Sequence, residues 1–357
     1  MTQKDIARDL GISLITVQRA LNDSGYVSAE LKKRIFDYVK KKSYVPHRAS
    51  QALVRNKVRN IGVFSSSSPE YFWDDIQRGV MNVAEHIRPF NYTVHYHRIP
   101  DFDTEKYCAV LKKSIRQGLD AAAFVSQPVF DMEKIIAIAE NAGIPYLMYN
   151  VDDPGNGRLC YIGANYRAGG RLAANYIGKA LSLKRSGKVL VIGFDGEQFR
   201  YASRPTVNPE RLEGFLEVMR VQYPAVKCRV ANLTGVPNDP GADQQIFRLL
   251  KEHEKSVDAV YFIPAFNTAF HRGLEQLDYR QTITVQHDID TAALKGLDEN
   301  LITAVVFQDP ILQGYMAVRV LEQFLESKKS KIPADIEIAH TLILRENINF
   351  LRNHYLL

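Results

Sequence analysis

Cysteine is scarce in this chain: Cys108, Cys160 and Cys228 are the only three among 357 residues. Their odd number and their lack of metal-ligand or redox spacing exclude a disulfide framework and a thiolate metal centre. They read as incidental thiols in a reducing compartment. No apolar run approaches the roughly 18 residues of a membrane span. No signal-like segment precedes the first helical pattern, so a soluble cytoplasmic protein is expected, without a membrane partner. The phosphate-cradling fingerprint G-x-G-x-x-G is absent, and Ser186-Gly187-Lys188 lacks the earlier glycine and the following helix of a P-loop. Low-complexity stretches and short repeats are missing too. Asp152–Asp153 lies in a Pro/Gly loop and reads as a solvated pair rather than a metal site. No enzyme, cofactor or metal is expected; the rival reading, an α/β enzyme acting on a sugar or nucleotide, finds no motif to support it.

What is present is ordinary in amount, 46% hydrophobic and 24% charged residues, but uneven in placement. Net charge is +6. Residues 1–60 hold 13 Lys/Arg against 5 Asp/Glu, and the remainder holds 33 against 35. The basic excess therefore belongs to the amino-terminal segment, as suits contact with a polyanion. There the pattern TQKDIARDLGISLITVQRALND gives two short helices broken at Gly11. Ile6, Ala7 and Leu10 recur at helical spacing, then Val17, Ala20 and Leu21. Thr2 with Asp5 three residues on can cap the first helix, and Ser13 or Thr16 the second. Two helices with a tight glycine turn form the helix-turn-helix unit, whose second helix enters the DNA major groove. A third helix, from Ser28 to about Lys42, closes the head.

Pro46 breaks this pattern, and the basic segment 47–57, of high helix propensity, is too short to be stable without a partner. From Asn60 apolar strands alternate with amphipathic helices. Strand-like runs are 60–66, 92–99, 121–127, 144–150, 188–196, 228–234, 259–266, 282–288 and 302–308; helical stretches include 74–88, 131–142, 166–181, 209–221 and 310–326. Buried strands alternating with helices predict α/β architecture, and so many strands divide more naturally into two doubly wound lobes than into one sheet. Ligands of such sheets sit beyond the strand carboxyl ends, in a cleft between lobes.

The head DIARDLGISLITVQRALNDSGYVS, the segment YVPHRASQAL, and the body runs IGANYRAGGRLAANYI, RLEGF and QDPILQGYMAV resemble the lactose-repressor (LacI/GalR) family of transcription regulators. The body is similar to periplasmic sugar-binding proteins, and the resemblance covers essentially the whole chain. It implies a helix-turn-helix head over 1–45 and a hinge over 46–58. It also implies a first effector lobe from 59–164 with 309–328 and a second from 165–308 with 329–357.

By that resemblance Leu14, Ile15 and Arg19 face base edges, the apolar pair against thymine methyls and Arg19 against guanine. Thr2, Thr16, Gln18 and Asn22 contribute phosphate or positional contacts. Leu53 matches the leucine wedged into the minor groove at the operator centre, with His47 and Gln51 one turn apart beside it. In the body, Phe72 and Trp73 stand where aromatics stack on a sugar ring. Arg211, Asn150, Asn267, Asp288 and Gln308 stand where polar groups grip its hydroxyls. His287 can add a donor, and Arg158, Arg200 and Arg204 fall in loops near the cleft mouth. The implied protein is a homodimeric repressor of a near-palindromic double-stranded operator, controlled by a monosaccharide or derivative. Without a leucine heptad in the tail, a dimer is expected rather than a coiled-coil tetramer.

Overall fold

A computed structural model describes residues 2–22, 25–42, 58–100, 103–127, 129–182, 186–194, 207–234, 240–264, 267–277, 279–327 and 331–349. The chain divides into two compact units, the smaller made of residues 1–58 with 87–92 and the larger of the rest.

The smaller unit opens on α1 (Gln3–Leu10), α2 (Leu14–Asn22) and α3 (Ala29–Lys41). The cap expected at Thr2 forms as a reciprocal box. Thr2 Oγ1 accepts from the Asp5 amide at 3.2 Å, and Asp5 Oδ2 accepts from the Thr2 amide at 2.7 Å. The Thr2 amide and then the Thr2 hydroxyl, which also donates to Asp5 Oδ2 at 2.9 Å, hold the Asp5 carboxyl below its ordinary range. Gly11 ends α1 in the left-handed region at φ +65°, where a side chain is strained. Of the two caps open for α2, Ser13 accepts from the Thr16 amide at 3.1 Å. Ser28 caps α3 through the Leu31 amide. Ile6, Ala7, Leu10, Val17, Ala20 and Ile35 form the buried centre. Arg34 and Tyr38 of α3 donate to the Leu10 carbonyl and the Asp9 carboxylate, tying α3 back to α1.

The larger unit is built on two six-stranded sheets. The first takes β1 (Arg59–Ser65), β2 (Tyr92–Arg98), β3 (Leu119–Phe124), β4 (Tyr146–Tyr149), β5 (Tyr161–Ala164) and β11 (Asp335–Ile338), in the order β11-β5-β4-β3-β1-β2. The second takes β6 (Gly187–Phe194), β7 (Val226–Leu233), β8 (Ala259–Phe262), β9 (Ile283–His287), β10 (Ala304–Phe307) and β12 (Thr341–Ile343), in the order β12-β10-β9-β8-β6-β7. Strand for strand, the two orders are the same. Around them lie α4 (Glu70–Ile87), α5 (Thr104–Arg116), α6 (Met132–Asn141), α7 (Tyr166–Leu181), α8 (Val207–Gln222), α9 (Pro240–His253), α10 (Asn267–Gln276), α11 (Thr291–Asp298) and α12 (Pro310–Glu326). The central strands are buried on both faces, which is why they read as continuous apolar runs. The edge strand β7 alternates instead, half-buried and exposed.

The architecture is the expected two-lobed α/β body, with one difference in where the chain runs. The expectation gave 329–357 to the second lobe. β11 instead pairs in parallel with β5 of the first sheet, and only β12 joins the second, antiparallel to β10. The chain therefore crosses between lobes three times: at 164–166, at 307–310 and at 338–341. β5, β11 and β12 were not among the expected strands, being short and lying next to the crossings where alternation is interrupted.

Each lobe packs one helix pair at backbone contact. In the second, a Cβ on Gly170 of α7 would fall on the Arg211 carbonyl oxygen of α8, and one on Gly214 of α8 would fall on that of Arg167. In the first, Gly79 of α4 meets the Ile311 carbonyl of α12, and Gly314 of α12 meets that of Ile76. These four glycines are what let the helices touch, and the pair in the second lobe, Gly170 with Gly214, sets the position of Arg211.

Candidate functional site

Asn150 follows β4 and Asp288 follows β9, the equivalent strands of the two lobes. Both take left-handed backbone, φ 60° and 63°, a region that Asn and Asp tolerate better than other side-chain-bearing residues. The turn aims each side chain beyond the carboxyl end of its sheet. Gln308, at the end of β10 on the second crossing, bridges them. Asn150 Nδ2 donates to Gln313 Oε1 at 3.0 Å and to Gln308 Oε1 at 3.5 Å. Gln308 Nε2 donates to Asp288 Oδ1 at 2.8 Å. On the other carboxylate oxygen, Asp288 Oδ2 accepts from Arg211 Nη2 at 3.5 Å. The result is a continuous polar chain, Gln313–Asn150–Gln308–Asp288–Arg211, running from one lobe to the other.

Every member of that chain is buried; Arg211 is 2% exposed. A buried guanidinium needs an anionic or hydrogen-bonding partner. Arg211 has Asp288 and, through Nη1 at 3.3 Å, the Ile263 carbonyl, while its guanidinium lies 5.5 Å from the Tyr166 ring centre. Tyr161 and Tyr166 both donate to the Asn150 carbonyl, at 2.7 and 2.6 Å, and hold that turn in place. Burial pushes the Tyr166 hydroxyl well above its ordinary pKa, so it stays a donor.

Phe72 and Trp73 sit in the first turn of α4, just after β1, as the sequence placed them. Both are buried. Trp73 Nε1 donates to the Ser68 carbonyl at 3.0 Å, and its ring meets Phe72 and Tyr149 edge-on at 5.2 and 6.4 Å. Through Tyr149, the residue before Asn150, the aromatic pair reaches the polar chain. Asn267 opens α10; its side chain, like that of Asn22, lies outside the described residues, as do His47, Gln51, Leu53, Arg200 and Arg204.

Arg158 does not point a free charge at a ligand. It pairs with Asp152 and Asp335 at 2.8 Å each and donates to the Ala334 carbonyl. The cluster lines a cavity of about 540 Å³, whose walls also include Tyr161, Tyr166, Glu210 and Glu337. Asp152 is thus engaged by a guanidinium. Among the described residues there is no group of three or more His, Cys, Asp or Glu that could hold a metal ion, and no helix long and apolar enough to cross a membrane.

Sequence reading missed Gln313 and the three tyrosines. Gln313 had a visible signal. It falls on the α12 face that Pro310, Gly314, Ala317, Val318 and Leu321 bury, where a glutamine must find partners. The tyrosine hydroxyls had none, since in strand and helix patterns they are indistinguishable from core rings.

In the head, Leu14 and Ile15 separate. Leu14 is half-buried and packs on the head core, whereas Ile15 is 59% exposed and outside it. Arg19 is exposed and Gln18 half-buried, while the Thr2 and Thr16 hydroxyls are bonded within their caps. Leu14→Ala is expected to lower head stability by about 1–3 kcal/mol. Ile15→Ala is expected to leave the melting curve within about 0.5 kcal/mol of the parent while weakening binding to a selected DNA site. Calorimetry and fluorescence anisotropy on the same two variants separate packing from reading.

Residues 2–47 match the family model "Bacterial regulatory proteins, lacI family", and residues 61–329, more than half of the chain, match the model "Periplasmic binding protein domain". The chain joins a lacI-family regulatory head to a body that belongs to the periplasmic binding protein domain family. It is similar to the HTH-type transcriptional regulator RegA of Clostridium saccharobutylicum, 32% identical over 119 residues, or 32% of this chain and 35% of that one. The alignment thus spans about a third of that relative's length. Over 97% of this chain and 96% of the other, it is 24% identical to the ribose operon repressor of Halalkalibacterium halodurans. The body has the fold of a sugar-binding protein of a sugar ABC transporter from Bacillus halodurans, with a TM-score of 0.70 and 19% identity over 82% of this chain and 99% of that one.

Proposed function

We propose that this protein is a sequence-specific DNA-binding transcriptional repressor whose hold on its operator is set by a small sugar or sugar-like effector taken up between the two lobes. The observation that carries the reading is the buried polar chain from Asn150 through Gln308 and Asp288 to Arg211. It puts an amide from the first lobe and a carboxylate and a guanidinium from the second at the facing strand ends. That set suits adjacent hydroxyls, which donate to a carboxylate and accept from amide and guanidinium N–H groups. Phe72 and Trp73 supply the apolar wall against a ring face, and Asn267 is a further candidate for bonding effector hydroxyls. Family membership favours a regulator over an α/β enzyme, and the name of the ribose operon repressor makes pentoses the first candidates.

The working form is a homodimer on a near-palindromic site, each head taking one half, with Ile15 and Arg19 reading bases and Leu53 wedged at the centre. Effector binding closes the lobes through the three crossings and changes the hinges. Its control is as large as the effector's preference between the two lobe arrangements.

The test is to recover genomic fragments retained by the full-length protein at moderate salt, with and without pentoses, hexoses, polyols and sugar acids, while following Trp73 fluorescence. Expected are a preferred, dyad-related site and a sugar that changes both retention and fluorescence. No preference for any fragment over random duplex removes the repressor reading. A preferred site with no response to any sugar removes the effector reading.

A further inference from the structure

Gln313 is fully buried in the first turn of α12, beside Gly314, whose contact with the Ile76 carbonyl seats that helix against α4. Its amide has one orientation. Nε2 donates to the Gln308 main-chain carbonyl at 2.7 Å, an oxygen that can only accept, so Oε1 must take the other side. There it accepts from Asn150 Nδ2 at 3.0 Å. The second Nδ2 hydrogen goes to Gln308 Oε1 at 3.5 Å, and Gln313 Nε2 reaches that same oxygen at 3.4 Å. With its Oε1 receiving two donors, Gln308 turns Nε2 to Asp288 Oδ1 at 2.8 Å. The direction of each amide from α12 to the second lobe thus follows from one main-chain carbonyl. Asn150 is left with one free polar atom in its side chain. Both Nδ2 hydrogens are spent inward, while no described residue donates to Oδ1. Nor is Oδ1 among the buried polar atoms that lack a partner, so it keeps access to solvent.

We infer that Gln313 is a positioning residue of the effector site: it locks the Asn150 amide with Nδ2 inward, so that this side chain offers the effector an acceptor and no donor. The inference rests on the effector reading above and narrows the class of effector. An uncharged acceptor from the first lobe and the Asp288 carboxylate from the second both call for donors. The effector is therefore a polyol or sugar with a hydroxyl at each of those two places, and the N–H groups it meets come from Gln308 and Arg211. An ether, keto or carboxylate oxygen set against Asn150 finds no donor there. Gln313 itself does not touch the effector, because its amide is spent on Gln308 and Asn150. Its part is to remove one of the two ways in which the Asn150 amide could stand.

The experiment compares the full-length protein with Gln313→Met, Gln313→Glu and Asn150→Ser. Met keeps the length of Gln without its polar atoms. Glu, held neutral by burial at about pH 6, keeps a carbonyl for Asn150 and an O–H for the Gln308 carbonyl. The first measurement needs no effector. With isotope-labelled asparagine, the Asn150 side-chain amide signal is assigned by its loss in Asn150→Ser, and its hydrogen exchange is followed by NMR. Slow exchange is expected in the wild type and in Gln313→Glu, and exchange at least about tenfold faster in Gln313→Met. The second follows Trp73 fluorescence with D-ribose, L-arabinose, D-xylose and D-galactose at the same pH. The sugar that the wild type binds most tightly is expected to bind Gln313→Met at least about tenfold more weakly, and Gln313→Glu within about threefold of the wild type. A packing role alone gives the reverse order, since Met fills the buried place without a polar group. Fast exchange in the wild type, exchange unchanged by Gln313→Met, or a sugar bound equally by Gln313→Met overturns the inference. Should no sugar move the fluorescence while the exchange pattern holds, the effector reading fails and takes the assigned class with it, whereas the lock on Asn150 stands.

Discussion

Gly170→Val is expected to destabilise the protein by at least about 3 kcal/mol and to abolish its response to effector in whatever fraction still folds. Its Cβ direction ends on the backbone carbonyl oxygen of Arg211, so the clash is with main chain and not with a side chain that can rotate away. Gly214 meets the Arg167 carbonyl in the same way, so α7 and α8 are held in contact at two points and cannot pivot around one of them. Relief requires α8 to withdraw. That withdrawal moves Arg211, whose links to Asp288 and to the Ile263 carbonyl are already at 3.5 and 3.3 Å. Gly170→Ala is expected to fall between, with the smaller displacement. Urea denaturation gives the stability loss and effector titration the functional one. A Gly170→Val protein that melts like the parent shows that the helices can separate without cost, and the account of how Arg211 is placed then fails.

That glycine was in plain view in the run IGANYRAGGRLAANYI, yet the sequence offered only a family motif and not its reason. Strand and helix periods identified nine of the strands and the major helices, the central strands because burial on both faces writes itself as unbroken apolar runs, and the edge strands β2 and β7 through their β-branched and aromatic content. The same logic fails for β11, whose residues alternate between exposed and half-buried over most of its length, and for β12, three residues long. Their pairing depends on where the chain returns, which is a tertiary fact. Leu14 shows the limit on a smaller scale. It and Ile15 are adjacent and apolar, and only the helix's rotation against the head core makes the first a packing residue and leaves the second exposed. Asn150, Arg211, Asp288 and Gln308 were legible one by one as polar residues at strand ends or at a helix start. Their connection through Gln313 was not, since hydrogen bonds between residues as far apart as Asn150 and Gln313 leave no local pattern.

Asp288→Asn is the second change with a large expected effect, because it removes charge and little else. Asn tolerates the positive φ of that position, matches the carboxylate in size, and can still accept from Gln308 Nε2. What it cannot do is balance Arg211, which is left buried without its counter-charge. Breaking a buried pair from one side costs about 3–5 kcal/mol. Loss of a charged acceptor for effector hydroxyls is expected to weaken effector binding about 10- to 100-fold. Binding of the effector-free protein to its operator is expected to persist, since the head has a core of its own. Adding Asn150→Asp to this variant returns the carboxylate to the network, but on the first lobe. Turning the Gln308 amide over keeps its hydrogen bonds to positions 150 and 288 in that double variant, donating now to 150 and accepting from 288, at the cost of the 3.4 Å bond it accepts from Gln313 Nε2. Arg211 remains unbalanced, and the bond that Asn150 donates to Gln313 is lost as well. The double variant is therefore expected to recover neither stability nor effector affinity, as measured by thermal melting and Trp73 fluorescence. Recovery of either means that the total charge of the network matters and its side does not. In that case the pairing of Arg211 with Asp288 on the second lobe is not what holds the site.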